Sequence, residues 1–178
     1  MRHEIRISGF GGQGIVLAGY LLGKALSLYQ DLEAVMTQSY GPEARGGASS
    51  SNIVVADRSI AYPFVQKADI FVALSQEGYS RYRDETVPDA RVLIDAGLVT
   101  PRAGDPVLSI PATELAEGLG QRIVANVVML GFLCAATEVV TREAIEKAIR
   151  TTIKEKVIPL NLEAFELGYK QAQLAGVV

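Results

Sequence analysis

Gly9, Gly11, Gly12, Gln13 and Gly14 place four glycines within six residues, directly after the alternating run HEIRIS and directly before a hydrophobic stretch. Gly9, Gly11 and Gly14 carry the spacing G-x-G-x-x-G. At a strand-to-helix turn, such residues leave backbone amides open to a phosphate or carboxylate, with no side chain in the way. The plainer alternative is a tight turn that lets strand and helix pack closely. A dinucleotide would also need a carboxylate at the end of the second strand, to hold a ribose hydroxyl. That strand ends near Thr37 and Gln38, and Asp31 and Glu33 lie before it or at its start, so NAD fails the requirement. Gln13 sets an amide beside the helix start, where it either donates to an anion or holds the loop.

The second chemical stretch is SYGPEARGG, residues 39–47. Pro42 stiffens it, and Gly41, Gly46 and Gly47 allow sharp bends. Tyr40, Glu43 and Arg45 project from it, and the Arg45 guanidinium is a planar five-donor fork suited to phosphate or carboxylate. The alternative is a Glu43–Arg45 pair on a solvated loop, worth about 0–1 kcal/mol. Both stretches follow strands, so in a doubly wound sheet they can share one crevice. Asn126, within an apolar helix, either ties down a neighbouring loop or meets a ligand, because a buried amide needs partners. Asp95 ends an apolar strand and is a weaker candidate. Gly131 and Ala135 suit close helix packing, and Cys134 reads as a small buried hydrophobe. Tyr79, Arg81, Tyr82 and Arg83 are offset by Glu77, Asp84 and Glu85, which suggests a solvated face or a subunit contact.

The elements that must position these residues alternate. Strands are expected at 3–8, 33–38, 48–57, 69–75 and 90–97, with another after Asp105. Helices are expected at 12–29, after a Thr113 cap, at 122–137, at 141–152 with Thr141 as cap, and at 155–173 interrupted by Pro159. YPFVQKA (62–68) reads as a short helical connector. This order predicts an α/β class, a Rossmann-like three-layer α/β/α fold with a mostly parallel sheet and a helical C-terminal part. No repeat or linker interrupts residues 1–178, which are expected to form one domain. With 49% hydrophobic residues and a formal charge of -3, the balance is that of a globular domain with no basic stripe for nucleic acid. The most apolar run, residues 123–136, is shorter than the roughly 20 residues a bilayer span needs. A single cysteine and a single histidine leave no disulfide, no iron–sulfur cluster and no zinc site to expect. A cytoplasmic setting fits, and charges in MRHEIRISGF argue against a signal peptide.

Together GFGGQGI, TQSYGPEARGGAS, SIPATELA and NVVMLG make the sequence resemble the gamma chains of 2-oxoacid:ferredoxin oxidoreductases, from about residue 4 to 172, most closely the 2-oxoglutarate type. In that family a multi-subunit enzyme decarboxylates a 2-oxoacid on thiamine diphosphate. Electrons pass through iron–sulfur clusters to ferredoxin, and the acyl group goes to coenzyme A. The resemblance implies a Rossmann-like chain that abuts alpha, beta and ferredoxin-like delta subunits and takes part in coenzyme A binding. Gly9, Gly11, Gly12, Gln13 and Gly14 match its first motif. Ser39, Tyr40, Gly41, Glu43, Arg45, Gly46 and Gly47 match the second, and Asn126 opens the third. Thiamine diphosphate, Mg and the clusters would sit on partner subunits, since no G-D-G-to-Asn motif is present here. The isolated chain would be inactive, and its exposed assembly face would allow a homodimer. A stand-alone nucleotide-dependent oxidoreductase and a purely structural scaffold subunit are the competing readings.

Overall fold

The computed structural model describes residues 1–40 and 48–177. Alternation of side chains along its strands sorts the apolar residues onto two faces of one sheet. Ile5, Ile7, Ile53, Ile70, Val72 and Leu93 bury on one face, and Phe71, Ala73, Val92 and Ile94 on the other. The strands are β1 (Arg2–Gly9), β2 (Glu33–Tyr40), β3 (Ser49–Ala56), β4 (Ala68–Ala73), β5 (Thr86–Asp95) and β6 (Val107–Ile110), in the order β2-β3-β1-β4-β5-β6. β1, β4, β5 and β6 pair in parallel, whereas β3 runs antiparallel to both β1 and β2. The sheet is therefore mixed but mostly parallel, within the expected α/β class.

The first face carries the larger core, closed by α1 (Ile15–Gln30), α3 (Ala112–Gly118), α4 (Ala125–Thr137), α5 (Arg142–Thr152) and α6 (Ile158–Leu174). The second face is covered by α2 (Gln76–Tyr82). In α4 every residue from Asn126 to Ala136 is buried, so the helix is the apolar centre of its layer. It crosses α6 where glycines face backbone: a Cβ on Gly131 would collide with the Phe165 carbonyl oxygen, and one on Gly168 with that of Val128. The close packing expected of Gly131 thus has its counterpart in Gly168, which pattern reading passed over.

Several local expectations are corrected. Residues 62–68 are not helical; β4 starts at Ala68, and the amides of Gln66 and Lys67 are taken by the Glu4 carboxylate at 2.7 and 3.2 Å. Thr113 does not cap α3: its amide and hydroxyl both go to the buried Asp95 carboxylate, at 3.0 and 2.6 Å. Asp95 also accepts from the Gly97 amide at 3.1 Å, so its lone pairs are spent on bracing the ends of β5 and β6 against α3. Thr141 caps α5 as expected, accepting from the Ala144 amide. Pro159 sits in the first turn of α6 instead of breaking it, the place where a missing N–H costs least. Tyr79 and Tyr82 are buried, not solvated. The Tyr79 hydroxyl donates to Asp105, which pairs with the Arg83 guanidinium. Burial, with the Asp105 carboxylate beside it, pushes the Tyr79 phenol up, while the Arg83 guanidinium holds the Asp105 carboxyl down.

Candidate functional site

β1 passes through the glycine turn into α1 on one face of the sheet, and its neighbour β4 runs into α2 on the other. Connections that diverge to opposite faces open a crevice at the carboxyl ends of the strands, the usual ligand position in open α/β sheets. The Leu74 amide donates to the Ser8 carbonyl at 2.8 Å and closes the floor of that crevice.

The turn above it is held by side chains on both flanks. Gln13 accepts from the Phe10 amide through Oε1 at 2.7 Å and donates through Nε2 to the Leu74 carbonyl at 2.7 Å. Its amide therefore holds the loop and is not offered to an anion. A Cβ on Gly9 would stand 2.5 Å from Gln13 Oε1 and 2.7 Å from Ile15 Cδ1, so the strap requires a glycine there. Asn126 donates through Nδ2 to the Gly14 carbonyl at 3.1 Å, while its Oδ1 accepts from the Val127 amide at 2.9 Å. Gly14 takes a left-handed conformation, with φ 72°, and a Cβ on it would collide with the Asn126 amide. Asn126 thus pins the start of α1 to the start of α4.

Gly11 differs from the other glycines of the turn. Its φ is not positive, and no described atom lies within 4 Å of where its Cβ would be. Neither conformation nor packing among the described residues calls for glycine at this position; what its bareness preserves is approach from outside. Gly12 is open in the same way, though its φ of 89° also favours glycine. No side chain caps the first turn of α1. A cavity of about 270 Å³ lies against the turn, lined by Gly12, Gln13, Leu74, Thr113, Arg122, Ile123, Ala125 and Asn126. Among the described residues in that lining, Arg122 is the one that is charged. Its guanidinium is largely exposed and lies 3.3 Å from Glu117, close enough for a pair but too wet to be held tightly. Uncapped amides and a guanidinium give the cavity a positive character suited to phosphate.

Of the residues expected at a site, Gly9, Gly11, Gly12, Gln13, Gly14 and Asn126 are brought together here. Ser39 and Tyr40 end β2 on the same edge of the sheet. Gly9 and Tyr40 both pair with Ser49, from opposite sides of β3. They are thus two strand spacings apart, about 10 Å. Tyr40 is 70% exposed and reaches Gln38. Gly41, Glu43, Arg45, Gly46 and Gly47 lie outside the described residues. Sequence reasoning missed Arg122, although its place four residues before Asn126, the residue that contacts Gly14, was the available signal. Cys134 is no part of the site. Burial pushes its thiol up to about 12, and its Sγ lies against the Val140 carbonyl. Among the described residues no helix is long and apolar enough to cross a membrane.

Residues 4–171 match the sequence model of the pyruvate ferredoxin/flavodoxin oxidoreductase family. The 2-oxoglutarate synthase subunit KorC of Methanocaldococcus jannaschii is 49% identical, over 97% of this chain and 95% of that one. Among solved structures, the gamma subunit of a keto/oxoacid ferredoxin oxidoreductase from Geobacter sulfurreducens superimposes with a TM-score of 0.86 at 38% identity, covering 97% and 99% of the two chains. A 2-oxoglutarate:ferredoxin oxidoreductase from Magnetococcus marinus, solved with 2-oxoglutarate, coenzyme A and succinyl-CoA, has the same fold in 31% of its chain, with a TM-score of 0.86 at 24% identity over 97% of this one.

Proposed function

Because the chain belongs to the pyruvate ferredoxin/flavodoxin oxidoreductase family, as a subunit of a 2-oxoacid:ferredoxin oxidoreductase, we propose that it serves the 2-oxoglutarate reaction by holding the anionic part of coenzyme A at the glycine turn. The likeness to KorC along nearly the whole chain supports 2-oxoglutarate as the 2-oxoacid. In the assembled cytoplasmic enzyme, alpha and beta subunits carry thiamine diphosphate with Mg, a ferredoxin-like delta subunit carries iron–sulfur clusters, and ferredoxin takes the electrons. That cofactor set supplies decarboxylation and electron transfer. The present chain, a single domain over residues 1–178, supplies binding and orientation of the acyl acceptor.

The observation that carries this reading is Gly11, bare for no reason found among the described residues, beside an uncapped helix start and a cavity whose one charge among the described residues is Arg122. Each phosphate oxygen can accept from turn amides, and the guanidinium adds charge-assisted bonds. β2, after which the sequence runs on to Glu43 and Arg45, ends on the same edge of the sheet. A scaffold role also draws support from one fact, that Gln13 is consumed internally. The two readings part on Arg122→Glu in the complete enzyme. Reversing this exposed charge should raise KM for coenzyme A roughly tenfold, with kcat and the 2-oxoglutarate KM unchanged, because only uniform binding is lost. An unaltered coenzyme A KM would leave the scaffold reading standing.

A further inference from the structure

On the α1 side of the glycine turn the surface is apolar without being closed. A groove of about 480 Å³ runs between α1, the turn at 121–124 and the start of α6, with Leu17, Ile123, Val124, Ile153, Val157 and Leu160 along it. Its rim continues onto the outer face of α1. Val16 and Tyr20, one helical turn apart, are 41% and 50% exposed, and Ile123 is 55% exposed. Aliphatic and aromatic side chains in such a row form a larger exposed patch than single scattered residues do. Among the described residues that line it, the one charge is basic. Lys154 lines the groove with no carboxylate pair among the described residues, and the Lys24 ammonium donates to the Thr151 carbonyl and the Thr152 hydroxyl and lies 6.0 Å from the centre of the Tyr20 ring. Arg122, beside Ile123 in the chain, is paired with Glu117 and adds little net charge. A basic rim on a chain of net charge -3 is a local preference, not a general one.

We infer that this groove seats a segment of a neighbouring subunit of the same oxidoreductase, entering with an apolar anchor flanked by acidic side chains. The patch extends along the outside of α1 as a surface, which a small ligand would leave uncovered and a polypeptide would cover. Complementary charge at the rim gives register and on-rate, and the buried apolar anchor gives affinity. The groove and the anion cavity share Ile123 and Asn126 as lining, so a chain seated here would also wall the cavity on its open side. The inference rests on membership in a multi-subunit enzyme and not on the coenzyme A reading.

The test uses the full set of subunits co-expressed, with assembly followed by sedimentation velocity. Ile123→Asp and Tyr20→Asp should each weaken association at least roughly tenfold, the cost of a charge in an apolar anchor site. The isolated variant chains should melt as the native chain does, since both side chains are half exposed. Lys154→Glu should weaken assembly less, and the loss should shrink as salt rises. Three results would overturn the proposal: assembly unaffected by both aspartates, assembly intact with only the coenzyme A KM raised, or a self-associated pair on this face that persists when the partner chains are present.

Discussion

A single methyl group at Gly168 should destabilise the isolated chain by about 3 kcal/mol, the upper part of the range for overpacking in a close-packed interior. The Cβ of Gly168→Ala would be driven into the Val128 carbonyl oxygen, and its next neighbours are the Val128 carbonyl carbon and the Phe132 amide nitrogen at 3.1 Å. These are backbone atoms of α4, so no rotamer change can relieve the clash. The helices must move apart, and α4 is the most deeply buried helix of its layer. Gly131→Ala attacks the same crossing from the other side, through the Phe165 carbonyl. The two changes should therefore be far from additive, since separating the helices once accommodates both. For a chain of this size the loss corresponds to a melting point lowered by roughly 6–12 °C. Calorimetry on the two single variants and the double variant reads both quantities. Native-like melting of Gly168→Ala would mean that α4 and α6 do not cross as closely as described.

The second large effect is expected at Gln13, now in function. Its side chain joins the Phe10 amide to the Leu74 carbonyl, 61 residues away, and so fixes the turn against β4. In Gln13→Glu one carboxylate oxygen still accepts from Phe10, but the other faces the Leu74 carbonyl with no proton between them. An unmatched pair of this kind costs about 1–3 kcal/mol, more when one member is charged. The turn should yield and carry its amides with it. Displacements of an ångström at a binding turn cost up to about a hundredfold. The coenzyme A KM of the complete enzyme should rise by roughly 10–100-fold, with the 2-oxoglutarate KM unchanged. Protonation would restore the donor to Leu74, so the defect should lessen as pH falls. Steady-state kinetics at several pH values decides this. A variant that assembles normally and keeps native kinetics at neutral pH would show that the strap is dispensable.

The strand–turn–helix unit at 2–30 was legible because everything that defines it is local: glycine spacing, then apolar periodicity. So were β4 and β5, whose burial on both faces writes them as continuous apolar runs. The direction of β3 was not drawn from the sequence, though the eight-residue connection from Tyr40 to Ser49 is too short for the crossover that a parallel pair requires. What local pattern could not supply was the destination of polar side chains. Gln13 finds Leu74, Asn126 finds Gly14 across 112 residues, and Asp95 finds Thr113. Each choice between holding a loop and meeting a ligand depends on which chain segments the sheet order makes neighbours. Tyr79 and Tyr82 misled for the same reason. The charges beside them in sequence suggested solvent, whereas Asp105 and Arg6 enclose them from other elements. Gly11 is the reverse case: the motif marks it, while the described residues give no packing reason for it.

Amide hydrogen exchange at the turn, measured on the complete enzyme, tests the central claim most directly. Saturating coenzyme A should slow exchange at Gly11, Gly12 and the first turn of α1, while 2-oxoglutarate alone should leave those amides as they were. Exchange at the turn that ignores coenzyme A, or that slows with 2-oxoglutarate in its absence, would contradict the account.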